Sequence, residues 1–203
     1  GTLNAKQAEL LIAARDDSFR LHSILNSLLD ISRMEADASK RAYRAVAPAH
    51  LASEALDPFL AGAKDKGVVL RSKIPDDLPD VWADPDRIQA VFANLVSNAL
   101  RFTDPGGRID VGAEAGEEFV TFSIADTGKG IPPQYLDRIF ERFFQVPGTA
   151  AEGGVGLGLA IVKEVVESHG GTVGVDSRVG EGSVFTFSLK RADRVPSGNE
   201  AHP

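Results

Sequence analysis

The chain has 203 residues, 43% hydrophobic and 25% charged, an ordinary balance for one globular domain with an appendage or for two small ones. Its 22 basic against 29 acidic side chains give a net charge of −7, which argues against non-specific nucleic-acid binding, so no nucleic-acid partner is expected. It has no cysteine, which excludes disulfides, thiolate metal sites and cysteine nucleophiles; no signal peptide is visible, and no apolar run approaches the roughly 20 residues that span a bilayer.

Residues 3–37 contain neither proline nor glycine. Leu3, Leu10, Ala14, Leu21, Ile24, Leu28 and Ile31 follow a heptad-like stripe, interrupted at Asp17 and broadened by Leu11 and Leu25. The pattern predicts one amphipathic helix about 50 Å long, whose apolar stripe needs cover from another chain or another segment. Residues 38–47 read as a polar connector entering a short strand near Tyr43–Val46. A helix is predicted over 48–65, stopped by Gly67, and strands over Val68–Lys73 and Val81–Ala83. Asp84-Pro85 reads as an N-cap followed by proline at the first helical position, opening a helix that runs to about Arg101. Alternation predicts strands over Arg108–Ala113 and Glu118–Ala125. A glycine-rich loop, a short helix after Pro132-Pro133 and an irregular stretch over 145–154 come next. A helix over 156–169, ended by Gly170-Gly171, leads into strands over 172–177 and 183–190 and a polar tail over 193–203, expected to be disordered. Hairpin-like strand pairs among separated helices predict an α+β two-layer sandwich, one mixed sheet with helices on one face, rather than a doubly wound fold.

Four motifs carry chemistry. Asn94 and Asn98 lie four apart in a helix, where asparagine is a poor choice, on a stripe with Arg87 and Arg101 at the margin of an apolar arc. Their amide oxygens can ligate a hard cation or hold water or phosphate. Asp126-Thr127-Gly128-Lys129-Gly130-Ile131 ends a strand with an acid that can accept from an exocyclic amine, followed by glycines that admit close approach. Gly153-Gly154-Val155-Gly156-Leu157-Gly158 runs into a helix, where backbone N–H groups and the helix dipole favour phosphate; it lacks the Gly-Lys-Ser/Thr of a Walker loop. Phe140-Glu141-Arg142-Phe143-Phe144 is an aromatic cluster able to anchor a lid. Singly, each fits a plainer reading: solvent-facing amides, a glycine turn, a linker, core aromatics.

Together, in this order and spacing, they resemble the catalytic ATP-binding domain of sensor histidine kinases, in the superfamily shared with gyrase, Hsp90 and MutL. Asn94–Asn98 looks like the N box, Asp126–Gly130 the G1 box, Phe140–Phe144 the F box and Gly154–Gly158 the G2 box, and 180–187 resembles the closing strands. The likeness covers about residues 42–190, and Leu28–Glu35 resembles the end of the second helix of the dimerisation and phosphotransfer domain.

The resemblance implies a Bergerat-type fold for 42–192 behind a partial dimerisation helix over 1–37, with ATP and Mg²⁺ as cofactors. It implies that Asn98 ligates Mg²⁺ with help from Asn94, and that Arg101 stands near the phosphates as a catalytic cation. Asp126 would accept the adenine amine; Gly128, Gly130, Ile131 and Phe140 would shape the pocket; Gly154, Gly156, Leu157 and Gly158 would bring N–H groups to the phosphates; Thr186 would help the adenine contact through water. Gln145 stands where some members have an arginine near the γ-phosphate. Gyrase and Hsp90 relatives carry glutamate at the position of Asn94 as general base for water, so asparagine favours phosphoryl transfer over hydrolysis. None of His22, His50, His169 or His202 has the His-Glu/Asp-x-x-x-Pro context of the family's phosphoacceptor, so autophosphorylation of this chain is not expected. His169, at a helix end, is expected to be structural. The implied partners are a response regulator and a second copy through the N-terminal helix. The implied location is cytoplasmic, with membrane attachment through segments absent here, since Gly1-Thr2 does not read as a natural start. Two alternatives stay open: an anti-sigma-type serine kinase or ATPase of the same superfamily, and a non-catalytic nucleotide-sensing dimerisation module.

Overall fold

The computed structural model describes residues 4, 6, 7, 10, 11, 42–149 and 155–195. Most of the predicted N-terminal helix, including Leu28–Glu35, lies outside them. Within it, Lys6, Gln7, Leu10 and Leu11 are helical, and Asn4 and Gln7 exchange hydrogen bonds in a reciprocal cap, Asn4 N–H to Gln7 Oε1 at 3.0 Å and Gln7 N–H to Asn4 Oδ1 at 2.8 Å.

The elements follow in the expected order. Strand β1 (Arg44–Val46) leads into helix α1 (Pro48–Lys66), which Gly67 ends in the left-handed conformation at φ 73°. Strands β2 (Val69–Ser72) and β3 (Val81–Ala83) precede helix α2 (Pro85–Phe102), whose N-cap Asp84 accepts from the Arg87 N–H. Strands β4 (Arg108–Ala115) and β5 (Phe119–Asp126) form a hairpin. Only a 3₁₀ turn, Pro133–Tyr135, forms where a short helix is expected after the prolines. Helix α3 (Gly158–Ser168) is followed by strands β6 (Val173–Arg178) and β7 (Gly182–Lys190).

Five strands make the main sheet in the order β2-β4-β5-β7-β6, parallel only between β2 and β4. This is the mixed sheet the sequence predicts, with one addition: β1 and β3 leave it and pair with each other as a separate antiparallel ribbon. Period-2 alternation buries Ile109 and Val111 of β4, Phe122 and Ile124 of β5, and Phe185, Phe187 and Leu189 of β7 on the helix side. Phe92 of α2 meets Phe122 and Phe187 edge-on at 5.6 and 5.2 Å, while those two rings stack at 4.8 Å. All three rings are almost wholly buried, so they fix α2 against the middle of the sheet.

One correction concerns the chain after β7. Asp193 belongs not to a loose tail but to a 3₁₀ turn, Ala192–Arg194, in which the Ala192 N–H bonds the Asp80 carbonyl and the Arg191 fork grips the Asp193 carboxylate at 2.7 and 3.0 Å. Residues 196–203 lie outside the described residues. His169 caps α3 and is buried. Its Nδ1 bonds the Val165 carbonyl at 2.8 Å, so the ring nitrogen Nε2 is the acceptor for the Asp84 N–H at 3.2 Å. Tyr43 tilts over the ring at 4.8 Å and donates to the Ser168 carbonyl, so the ribbon is pinned to the end of α3.

Candidate functional site

A cavity of about 270 Å³ opens between α2, α3 and the ends of β5 and β7. Its wall joins residues remote in sequence: Asn94, Asn98 and Arg101 from α2, Asp126, Gly130 and Ile131 from the end of β5, and Gly156, Leu157 and Gly158 from the turn into α3. Of the predicted residues with a described position, nine therefore reach one space, and three do not.

The amides sit on one face of α2 because four residues are just over one helical turn. Asn94 donates its Nδ2 to the Ala90 carbonyl one turn back, at 2.9 Å. That bond fixes the amide, and its Oδ1 faces α3: a Cβ on Gly158 would lie 2.6 Å from this oxygen. Glycine at 158 thus leaves room for the Asn94 oxygen, and its backbone conformation does not itself call for glycine. No side chain caps the first turn of α3. Its positive end is directed at the wall that holds Asn94, an arrangement suited to an anion.

The turn before α3 is fixed by glycine for a different reason. Gly156 has φ 76°, and a Cβ there would lie 2.5 Å from the Phe144 carbonyl oxygen. Its own carbonyl accepts from the Phe143 N–H at 2.7 Å, and Phe143 adopts a positive φ of 65° in doing so. The aromatic cluster and the glycine turn are therefore stitched backbone to backbone. Gly154 lies outside the described residues.

Asp126 closes β5. Its Oδ1 accepts from the Gly128 N–H at 2.8 Å. Burial pushes its pKa above the ordinary carboxylate range, against the opposing pull of backbone hydrogen bonds from Gly128 and Ser183. It is the one acid among the described lining residues, which include two cations, Arg101 and Lys129. A chain of charge −7 thus presents a locally basic wall beside a single, partly desolvated carboxylate.

Three predicted residues stand elsewhere. Gly128 lies beneath the site, where it supplies the N–H to Asp126 and where a Cβ would fall 2.5 Å from the Phe102 carbonyl oxygen. Phe140 sits behind the wall, edge-on to Phe185 at 6.5 Å, and Phe185 is the ring that lines the cavity. Thr186 is turned to the opposite face of the sheet, beside Gly174, so the water-mediated contact expected of it is corrected. Period-2 alternation decides this: Ser183 and Phe185 share the cavity side of β7, and a residue one further on cannot. Ser183, opposite Asp126 in the strand register, is among the lining residues that sequence reasoning missed, with Ser97, Lys129 and Thr149. Phe144, under the Arg138 guanidinium at 4.4 Å, lines the cavity as well.

Residues 83–193 match the family model of histidine kinase-, DNA gyrase B- and HSP90-like ATPases. The chain belongs to this family. It is a histidine kinase-type ATPase domain, and ATP binding is a property of that family. It is 34% identical over 190 residues to the circadian input-output histidine kinase CikA of Synechococcus elongatus, covering 92% of this chain and 25% of that protein. To the adaptive-response sensory kinase SasA of the same organism it is 32% identical, over 87% of this chain and 46% of that one. The sensor protein SrrB of Staphylococcus aureus is 34% identical, over 91% and 32%. The chain therefore spans between a quarter and just under half of these curated relatives. Among solved structures, full-length ShkA in complex with AMPPNP superposes with a TM-score of 0.75 at 32% identity, covering 95% of this chain and 41% of that one. The nucleotide-free catalytic domain of histidine kinase ThkA gives 0.64 at 28% identity, over 73% of this chain and 95% of that domain. Among the described residues no helix is long and apolar enough to cross a membrane.

Proposed function

We propose that residues 42–192 bind ATP with Mg²⁺ in this cavity and transfer the γ-phosphate to a histidine on a phosphotransfer helix, for relay to an aspartate of a response regulator. The observation that carries the reading is the convergence of Asp126, the α2 amides and the Gly156–Gly158 turn on one cavity. On this reading the ionised Asp126 accepts the adenine amine, which selects adenine over guanine. Arg101 and the first turn of α3 meet the phosphates.

The donor set fits Mg²⁺. This cation takes oxygen ligands and usually keeps several waters, binding through few protein groups plus substrate phosphates. Asn98 offers an amide oxygen on the cavity wall, and among the described residues no group of three or more His, Cys, Asp or Glu competes for a metal. When bound, Mg²⁺ neutralises charge on the phosphate oxygens. Asn94 cannot act as a base, since an amide does not take up a proton near neutral pH, and its amide is already tied to Ala90. Gyrase and Hsp90 relatives carry a glutamate base at this position, so its absence favours a protein imidazole over water as the acceptor on this reading. The N-terminal helix over 1–37 would pair with a second copy.

Calorimetric titration with ATP and GTP, with and without Mg²⁺, tests the site. Binding should favour ATP and should strengthen with Mg²⁺ in the wild type but not in Asn98→Ala. Equal affinity for GTP, or an Asn98→Ala variant with full Mg²⁺ dependence, would overturn the assignment. Acid-labile phosphate should appear only when a helix bearing an acceptor histidine is supplied in trans. Rapid hydrolysis instead would favour the ATPase alternative, and binding without any transfer the nucleotide-sensing module.

A further inference from the structure

The C-terminal end of α2 meets the cavity with the wrong sign for a polyanion. Asn98, Arg101 and Phe102, from its last two turns, line the wall. A helix C-terminus carries roughly half a negative charge, spread over its unpaired carbonyls. Phosphates held beside it would be repelled unless those carbonyls are engaged.

Every one of the last four carbonyls has a partner. Ala99 O accepts from the Thr103 N–H at 3.0 Å, and Phe102 O from the Lys129 N–H at 3.2 Å. The two between them, Leu100 O and Arg101 O, both accept from one ammonium, Lys66 Nζ, at 2.6 and 3.1 Å. Lys66 is the last residue of α1, more than thirty positions away in sequence. The Gly67 turn at φ 73° ends the helix there, and the Gly106 N–H bonds the Gly67 carbonyl at 2.8 Å, tying the loop after α2 to the same point. This contact is partly buried, so solvent screens the ammonium less than it would a surface lysine.

We propose that Lys66 is a positioning residue for the nucleotide. Its ammonium clamps the final turn of α2 and cancels the negative end of that helix, so that a polyphosphate is accepted beside Asn98 and Arg101. Lys66 acts through α2 and has no place on the cavity wall. The inference rests on the ATP reading of the cavity and adds to it a determinant of phosphate recognition outside the four motifs.

The test is a charge series. Lys66→Gln removes the charge but keeps a donor; Lys66→Met keeps the aliphatic stem; Lys66→Arg keeps the charge. Affinities for ATP, ADP, AMP and adenosine are measured by displacement of a fluorescent ATP analogue, on variants shown folded by circular dichroism. A neutral variant should bind ATP about fivefold more weakly, ADP and AMP progressively less so, and adenosine unchanged. Lys66→Arg should stay within about twofold of wild type. Either neutral variant that folds serves. A loss by the same factor across the four ligands would mark a merely structural tie and overturn the proposal, as would ATP affinity equal to wild type. Wild-type protein that binds none of the four would instead bring down the ATP reading itself.

Discussion

Asp126→Asn separates binding from folding more cleanly than any other change in the site. The substitution keeps shape and keeps an oxygen to accept the Gly128 N–H now at 2.8 Å. It places an NH₂ group where the second carboxylate oxygen stood, so that a donor faces the adenine amine. One charge-assisted hydrogen bond is lost, about 1.5–3 kcal/mol, and a donor–donor contact is added. At 25 °C about 2–3 kcal/mol corresponds to roughly 30- to 150-fold weaker ATP binding. Folding should respond in the other direction. Burial raises the Asp126 pKa, so the ionised carboxylate costs the folded state free energy that a neutral amide does not. Calorimetric titration with ATP and thermal denaturation of the free protein read the two effects on one sample. An affinity within about threefold of wild type would refute the assignment of Asp126 to adenine. A large fall in melting temperature would refute the claim that its charge is a cost to the fold.

The same shift sets a pH dependence. Because the folded pKa lies above the unfolded one, the Asp126 contribution to stability is most favourable at low pH and declines as pH rises through the folded pKa, whereas ATP binding, which needs the ionised form, weakens as pH falls through it; titrations across the mildly acidic range check both signs. Gly156→Ala forces a left-handed residue with φ 76° to carry a Cβ against the Phe144 carbonyl, at a cost of about 1–2 kcal/mol from the conformation alone, and both melting temperature and ATP affinity should fall. Gly158→Ala sets a methyl 2.6 Å from the Asn94 oxygen, so the amide must shift and ATP affinity should fall, while residue 158, at the first position of α3, gains none of the interior-helix preference for alanine. Phe92→Ala empties the centre of the aromatic trio and should cost about 3–5 kcal/mol, lowering the melting temperature by roughly 6–20 °C. His169→Leu strands the buried Asp84 N–H and should cost about 1–3 kcal/mol in chemical denaturation.

Local chemistry made most of the elements legible. Asp84-Pro85 opens α2, Gly67 stops α1, and the alternation of Val120, Phe122 and Ile124 marks β5, because caps, positive-φ turns and pleats are short-range properties. The separate β1–β3 ribbon was not legible, since it joins strands far apart in the chain through the Arg44–Ala83 register. Within the site, Asn94 and Asn98 announced themselves as poor helix formers on one face, and Asp126 as an acid before glycines. The faults fell where orientation depends on partners: Thr186 on the far side of β7, and Phe140 one ring behind Phe185.

What sequence alone determined is an α+β domain with glycine turns, paired helix amides and an acid before glycines, because each obeys a rule confined to its own few residues; that they serve one site was implied by their resemblance, in order and spacing, to a known family. Tertiary structure decided which of them share a cavity. It also decided that Ser183 stands opposite Asp126, that Gly158 exists to admit an amide oxygen, and that Lys66 reaches across from α1 to the end of α2. Those are consequences of strand register and helix packing, which join positions that no local pattern relates.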